Sequence, residues 1–249
     1  ETSSIINMDS LFKDCSSLTT IDISNFNTLK TTNMASLFSG CSSIASLDIS
    51  YLDTSKVEIM DSMFAECTSL TSLNINNLRT NNVVIMKKLF YGCTSLTSLD
   101  ITRLDTSKVT NMEFLFSGCT KITSLNLTNF NTFNVVNMNS MFKSCLSLLS
   151  IDLSNFNTNK VTNIDYIFSN CNSLKEIDIS NFDISKIESG KMELVEDSYS
   201  IASLLNALIF CCLRFTAGRA IKRTKPIATI PIPIKLVIAI EVFWGLQRA

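Results

Sequence analysis

Seven cysteines carry the most versatile chemistry in this sequence, and they recur at a constant interval of 26 residues. They are Cys15, Cys41, Cys67, Cys93, Cys119, Cys145 and Cys171. A thiolate can act as a nucleophile, pair as a disulfide or bind zinc. The chain contains no histidine, which removes the usual partner of a nucleophilic thiol and the commonest metal ligand. We therefore expect a protein that is not an enzyme.

The regular spacing of the cysteines also argues against disulfides and metal sites. One cysteine per repeat would place the side chains parallel in a column, whereas a disulfide needs two side chains that face each other. Zinc needs four converging ligands, and a column provides only a line. We predict buried free thiols that pack as small hydrophobic side chains, with no cofactor.

A second column, made of carboxylates and amides, follows the same interval. Its members are Asp22, Asp48, Asn74, Asp100, Asn126, Asp152 and Asp178. Oxygen ligands of this kind suit calcium, but one group per repeat does not make a convergent cage. We predict a solvated, hydrogen-bonded column on the exposed face of a sheet, without a metal. The glycosylation pattern at Asn126 would fall within a predicted strand, so we do not expect a glycan there.

The elements that hold these columns can be inferred from one repeat. In segment 111–119, Met112, Leu115, Phe116 and Cys119 have the spacing of one face of a short helix. The following segment, 122–130, has the LxxLxL spacing of a leucine-rich-repeat strand. Phenylalanine keeps the same interval at Phe12, Phe38, Phe64, Phe90, Phe116, Phe142 and Phe168.

Together these patterns predict an α/β fold, a leucine-rich-repeat solenoid shaped as a curved horseshoe. It would contain about seven units of 26 residues over 1–187, each a short parallel strand plus a short helix. We expect a spine of large apolar residues to replace the usual asparagine ladder in its core. The spine residues are Phe26, Leu52, Leu78, Leu104, Phe130, Phe156 and Phe182.

The unit NMxxLFxGCxSLxSLDISNFNTSKVT is nearly complete at 33–57 and 111–135. It resembles the repeats of the BspA-like leucine-rich-repeat surface proteins, also described as mycoplasma lipoprotein-associated repeats. The likeness extends over about 5–187. It implies a cell-surface or secreted protein that serves in adhesion or in recognition of a host or neighbouring cell, and it supplies no catalytic residues.

Three residues break otherwise regular columns at neighbouring repeats. Tyr51 and Arg103 replace Asn in the column that starts at Asn25, and Arg79 is the one basic residue in the column that starts at Asn27. Tyr and Arg are frequent anchors of interfaces. We predict a partner-binding patch of Tyr51, Arg79 and Arg103. The alternative is that the two arginines only pair with neighbouring aspartates.

The repeat pattern stops after residue 187, and a hydrophobic and basic tail occupies 188–249. Its apolar run of 13 residues, 201–213, is shorter than the roughly 20 residues of a membrane-spanning helix. The tail is a cap, a marginal membrane segment in 201–246 or a non-native read-through. The chain opens at Glu1 inside the repeat pattern, which suggests a fragment or a processed chain.

The net charge of −1 favours neither nucleic acid nor an anionic membrane as a partner. We expect a non-enzymatic adhesion or recognition module on the cell surface or secreted. Its partner would be a protein or a glycan, bound through the sheet face or its edge. The alternative is a cytoplasmic scaffold for protein–protein interaction, which the unpaired thiols would suit.

Overall fold

The computed structural model describes residues 2–179 and 181–183. Within them the chain forms coils of 26 residues, which we number 1 to 7 from the coil of Cys15 to the coil of Cys171. Four short strands lie on one side of the coils. They are β1 (Ser46–Asp48), β2 (Ser72–Asn74), β3 (Ser150–Asp152) and β4 (Glu176–Asp178).

Every pairing between coils is parallel and offset by one repeat. Strand β1 pairs with β2 with Ser46 opposite Ser72, and β3 pairs with β4 with Ser150 opposite Glu176. On another side of the coils, single bridges run from Asn7 through each successive equivalent residue to Asn163. Each coil is therefore stacked on the next in the register that the 26-residue period predicts.

The predicted helices are absent from the described residues, where strands are the only regular elements. Segment 112–119 instead forms consecutive turns, in which Leu115 N–H donates to the carbonyl of Met112 and Cys119 N–H to that of Phe116. The third residues of these two turns, Phe114 and Gly118, have positive φ angles of 56° and 78°. This is the pattern of type II turns, and it is incompatible with a right-handed helix.

The turns also connect neighbouring coils, which a helix would not do. The N–H groups of Met112, Phe114 and Phe116 donate to carbonyls of coil 6 at 2.9 Å. Equivalent bonds recur from coil to coil. The turn segments therefore form a hydrogen-bonded layer of their own.

The core is a single cluster that runs through the stack. Phenylalanine rings of the repeated column stack on each other, with centroids of Phe38 and Phe64 6.1 Å apart and planes 6° apart. The predicted spine lies in this core from Leu52 to Phe182, whereas Phe26 is only partly buried. The inward columns that the repeat predicts are therefore present, whereas the horseshoe curvature stays a prediction.

Coil 1 differs from the expected pattern. The phenylalanine Phe12 is partly buried and Cys15 is exposed, whereas the equivalent residues of coils 2 to 7 are buried. The reason is that no described coil lies on the outer side of coil 1. The prediction that all seven cysteines and phenylalanines are buried is therefore wrong for this coil.

The predicted tail, 188–249, and its cysteines Cys211 and Cys212 lie outside the described residues. Among the described residues, no helix has the length and apolar character that crossing a lipid bilayer requires.

Candidate functional site

The three residues of the predicted patch lie on successive coils and are all exposed. Tyr51 of coil 2 has 60% of its surface accessible, the largest exposed fraction among the described large hydrophobic residues. Arg103 occupies the equivalent position two coils further on, about 10 Å away along the stack. Arg79 is exposed on the intervening coil, two residues beyond that column. The patch lies just after the strand segments, at one edge of the side that carries β1 and β2.

Neither arginine forms an ion pair within the described residues, where the single salt bridge is Lys87–Glu113. The pKa of Asp53 is lowered mainly by the hydroxyl of Ser55, and further by the charge of Arg79. The pKa of Asp100 is lowered mainly by the Thr102 hydroxyl and further by the charge of Arg103. The Arg103 guanidinium also donates a hydrogen bond of 3.4 Å to the Asn76 carbonyl. The alternative interpretation would pair Arg103 with Asp105. The pKa of Asp105 is lowered mainly by the Ser107 hydroxyl, and Lys108 is the cation that lowers it further.

The column that begins at Asp22 stabilises local turns. The Asp48 carboxylate accepts from Ser50 N–H at 2.9 Å, and Asn126 accepts from both the N–H and the hydroxyl of Thr128. These contacts lower the pKa of Asp48, chiefly through the Ser50 hydroxyl. All members are exposed except Asn74, which is partly buried. Asn126 itself lies outside any strand, contrary to the sequence interpretation.

The cysteine column is a set of hydrogen-bonded thiols in the core. The Sγ of Cys67 donates to the Phe38 carbonyl at 3.2 Å, and coils 2 to 7 repeat this contact. Burial raises the pKa of Cys67 and Cys171 to about 12 and that of Cys41 to about 11. Such thiols stay protonated and unreactive at neutral pH. No group of three or more possible metal ligands occurs among the described residues.

Sequence reasoning missed a ladder of buried threonines. Its members are Thr28, Thr54, Thr80, Thr106, Thr132 and Thr158. In the ladder, the Thr54 hydroxyl donates to the Arg79 carbonyl at 2.9 Å and accepts from the Arg79 N–H at 2.7 Å. The ladder thereby fixes the backbone of Arg79 inside the patch. The signal was present, because threonine keeps the 26-residue interval without a gap.

A second unpredicted feature is a group of aromatic and lysine side chains on the turn segments. The Nζ of Lys88 lies 5.5 Å from the centre of the Tyr91 ring and 5.6 Å from that of Phe114. The two rings meet edge to face at 6.0 Å. Lys143 lies 5.4 Å from the ring of Tyr166. These cation–π contacts place cations and rings together on coils 4 to 7.

A family model described as "Mycoplasma protein of unknown function, DUF285" matches two overlapping stretches, residues 1–98 and 84–205. The two stretches together cover well over half of the 249 residues.

A leucine-rich repeat protein from Bacteroides ovatus, known from a crystal structure, is similar at 20% sequence identity with a TM-score of 0.31. The alignment covers 68% of this chain and 57% of that one, so this chain spans little more than half of its length. No curated protein matches the chain.

Proposed function

We propose that this chain, which belongs to the DUF285 family of mycoplasma proteins, is a non-enzymatic recognition module for a macromolecular partner. The partner would be a protein or a glycan on a host or neighbouring cell. The binding surface would be the side of the stack that carries β1 and β2, together with its edge. Stacked coils support such a role because they hold exposed side chains on a rigid, regularly spaced backbone.

The patch of Tyr51, Arg79 and Arg103 is the observation that carries this proposal. Packing requires similar residues at equivalent inward positions. On three successive coils, in contrast, these outward positions hold residue types that differ from the rest of their columns. An exposed tyrosine followed on the next two coils by arginines that have no ion-pair partner among the described residues is suited to an interface anchor. The guanidinium groups would bind carboxylates or other anionic groups of the partner.

A cell-surface or secreted location is part of the proposal, and the alternative is a cytoplasmic scaffold. Unpaired thiols would ordinarily favour the cytoplasm. Here six thiols are buried, and burial would protect them in an oxidising environment as well. Labelling of intact cells of the source organism with an antibody against the chain distinguishes the two locations.

The binding test is a solid-phase assay of the full chain against a defined panel of extracellular proteins and glycans. We expect saturable binding to at least one member, and a loss of at least tenfold in affinity in the Tyr51→Ala/Arg79→Ala/Arg103→Ala variant. The control replaces one exposed aromatic and two exposed lysines elsewhere, as Phe133→Ala/Lys30→Ala/Lys121→Ala. Equal affinity of the patch variant and the wild type would contradict the assignment of the site.

A further inference from the structure

The turn segments present a second face, which we call the turn face. It consists of residues 9, 10, 13 and 14 of coil 1 and the equivalents of these residues in coils 2 to 7. Most of these side chains are exposed or partly buried, and the intervening residues of the turn segments in coils 2 to 7 are buried in the core. The turn face is separate from the patch around Tyr51, which follows the strand segments.

The charge of the turn face changes sign along the stack. Coils 1 to 3 contribute four carboxylates and one lysine, namely Asp9, Asp14, Asp61, Glu66 and Lys13. Coils 4 to 7 contribute three lysines and two carboxylates, namely Lys87, Lys88, Lys143, Glu113 and Asp165. Glu113 is bound to Lys87 at 2.9 Å, and Lys88 and Lys143 contact rings instead of carboxylates among the described residues. One half of the face is thus acidic and the other half is basic.

The sizes of the side chains change at the same place. The first left-handed position of each coil holds serine in coils 1 to 3 and Lys88 in coil 4. It holds Phe114 in coil 5, Ser140 in coil 6 and Tyr166 in coil 7. A bulky residue at positive φ is unfavourable by about 1–2 kcal/mol. Large side chains retained at such positions often serve a function. At this position the acidic half therefore has only small residues, whereas the basic half includes two aromatic ones.

We propose that the turn face binds a second copy of this chain, antiparallel, about a twofold axis between coils 3 and 4. Coils 3, 2 and 1 of one copy would then lie opposite coils 4, 5 and 6 of the other. A twofold interface must be self-complementary. This face meets that requirement because the acidic coils 1 to 3 of each copy would face the basic coils 4 to 6 of the other.

Three contacts follow from this arrangement. The carboxylates of Asp61 and Glu66 face Lys88 and its neighbour Lys87 of the second copy. Ser36 leaves room for the ring of Phe114. Asp9 and Asp14 face Lys143. Each contact occurs twice, once on each side of the axis. Opposite charges therefore predominate in the overlap, although Lys13 of coil 1 also lies opposite coil 6 with its Lys143.

The face is narrow, and an interface below about 1,200 Å² is usually weak. We therefore expect a dimer that dissociates on dilution and on addition of salt, because partly exposed charges are screened. This inference does not depend on the proposed function, since the Tyr51 patch plays no part in it.

The test is sedimentation velocity of the full chain over a dilution series at low and high salt. We expect a concentration-dependent dimer at low salt that weakens at least tenfold at high salt. The acidic variant Lys88→Glu/Lys143→Glu and the basic variant Asp9→Lys/Asp14→Lys/Asp61→Lys/Glu66→Lys should each be monomeric. An equal mixture of the two should form heterodimers, because each introduced charge then faces an opposite charge on the other copy. The control Lys30→Glu/Lys121→Glu, which changes exposed lysines away from the turn face, should dimerise as the wild type does.

Thermal unfolding shows whether each variant is folded, and the milder Lys88→Gln/Lys143→Gln replaces the acidic variant if that protein does not fold. The neutral variant should dimerise at least tenfold more weakly than the wild type. A wild type that is monomeric at every concentration, or that forms species larger than a dimer, would overturn the proposal. Folded variants that still dimerise normally, or that fail to form heterodimers when mixed, would also overturn it.

Discussion

One hydroxyl group of Thr106 satisfies both backbone groups of Asn131 in the following coil. It donates to the Asn131 carbonyl at 3.0 Å and accepts from the Asn131 N–H at 2.7 Å. The threonine is fully buried, so water cannot replace either bond. Thr54 and Thr132 make the same pair of bonds, and Thr28 and Thr80 make the donated one. A polar ladder, and not only apolar packing, therefore sets the register of the stack.

Replacement of this hydroxyl should therefore be costly. We expect Thr106→Val to lower the free energy of unfolding by about 1–3 kcal/mol, because it leaves buried backbone groups without partners. Thr106→Ser keeps the hydroxyl and removes one methyl group, which should cost about 1 kcal/mol. Urea unfolding of both variants gives the comparison. A valine variant as stable as the wild type would show that the buried hydroxyl contributes no stability.

The left-handed turns and a helix predict opposite effects of a glycine substitution on the free energy of unfolding. Ser36 has a φ of 53°, and glycine removes a backbone strain of about 1 kcal/mol there. The greater freedom of glycine in the unfolded chain offsets about 0.4–1 kcal/mol of this gain. We expect Ser36→Gly to leave stability unchanged or slightly higher.

Ser39→Gly is the matched control, since its φ is not positive and glycine there should destabilise by about 0.5–1 kcal/mol. Urea unfolding measures both variants. Equal losses of stability at the two positions would favour the helix that the sequence predicts.

That helix was predicted for a physical reason. Consecutive four-residue turns direct Met112, Leu115, Phe116 and Cys119 inward, and this spacing is the same as that of a helical face. The distinguishing signal lay in the outward residues, where Gly40, Gly92 and Gly118 recur at a left-handed position. Apolar periodicity alone therefore identifies the inward side chains but not the backbone that carries them.

Other features were accessible from the sequence to different degrees. The period determined the register of every pairing between coils and the inward direction of the cysteine column. The break in the asparagine column pointed to Tyr51, which is indeed highly exposed. The cluster of Lys88, Tyr91 and Phe114 was not accessible, because Lys88 and Phe114 share a column on successive coils without sharing a residue type, and Tyr91 belongs to another column. Only the stacking distance brings them together.

Alkaline pH should destabilise the chain through its buried thiols. Burial raises the pKa of Cys67 from 9.0 to about 12. The unfolded chain therefore loses this proton above pH 9 while the folded chain retains it. The stability that the thiol contributes is complete below pH 9 and is lost between pH 9 and 12, at up to about 1.4 kcal/mol per pH unit.

Urea unfolding with reductant at pH 8 and pH 10 tests this effect in the wild type and in Cys67→Ala. The variant should start less stable, because of its cavity, but should lose less stability between the two pH values. The other ionisable groups are common to both proteins, so their contributions cancel in the comparison. An identical loss in both proteins would mean that the thiol ionises normally and is not buried.

The claim that 26-residue coils stack and bury one another's cysteines is tested most directly by titration of the thiols. The full chain carrying Cys211→Ser and Cys212→Ser retains the seven cysteines of the repeats. With a thiol reagent and no reductant, we predict that one thiol, the exposed Cys15, reacts in the native protein and that all seven react after denaturation. Several reactive thiols before denaturation, or fewer than seven afterwards until a reductant is added, would contradict the stacked core of free, buried cysteines.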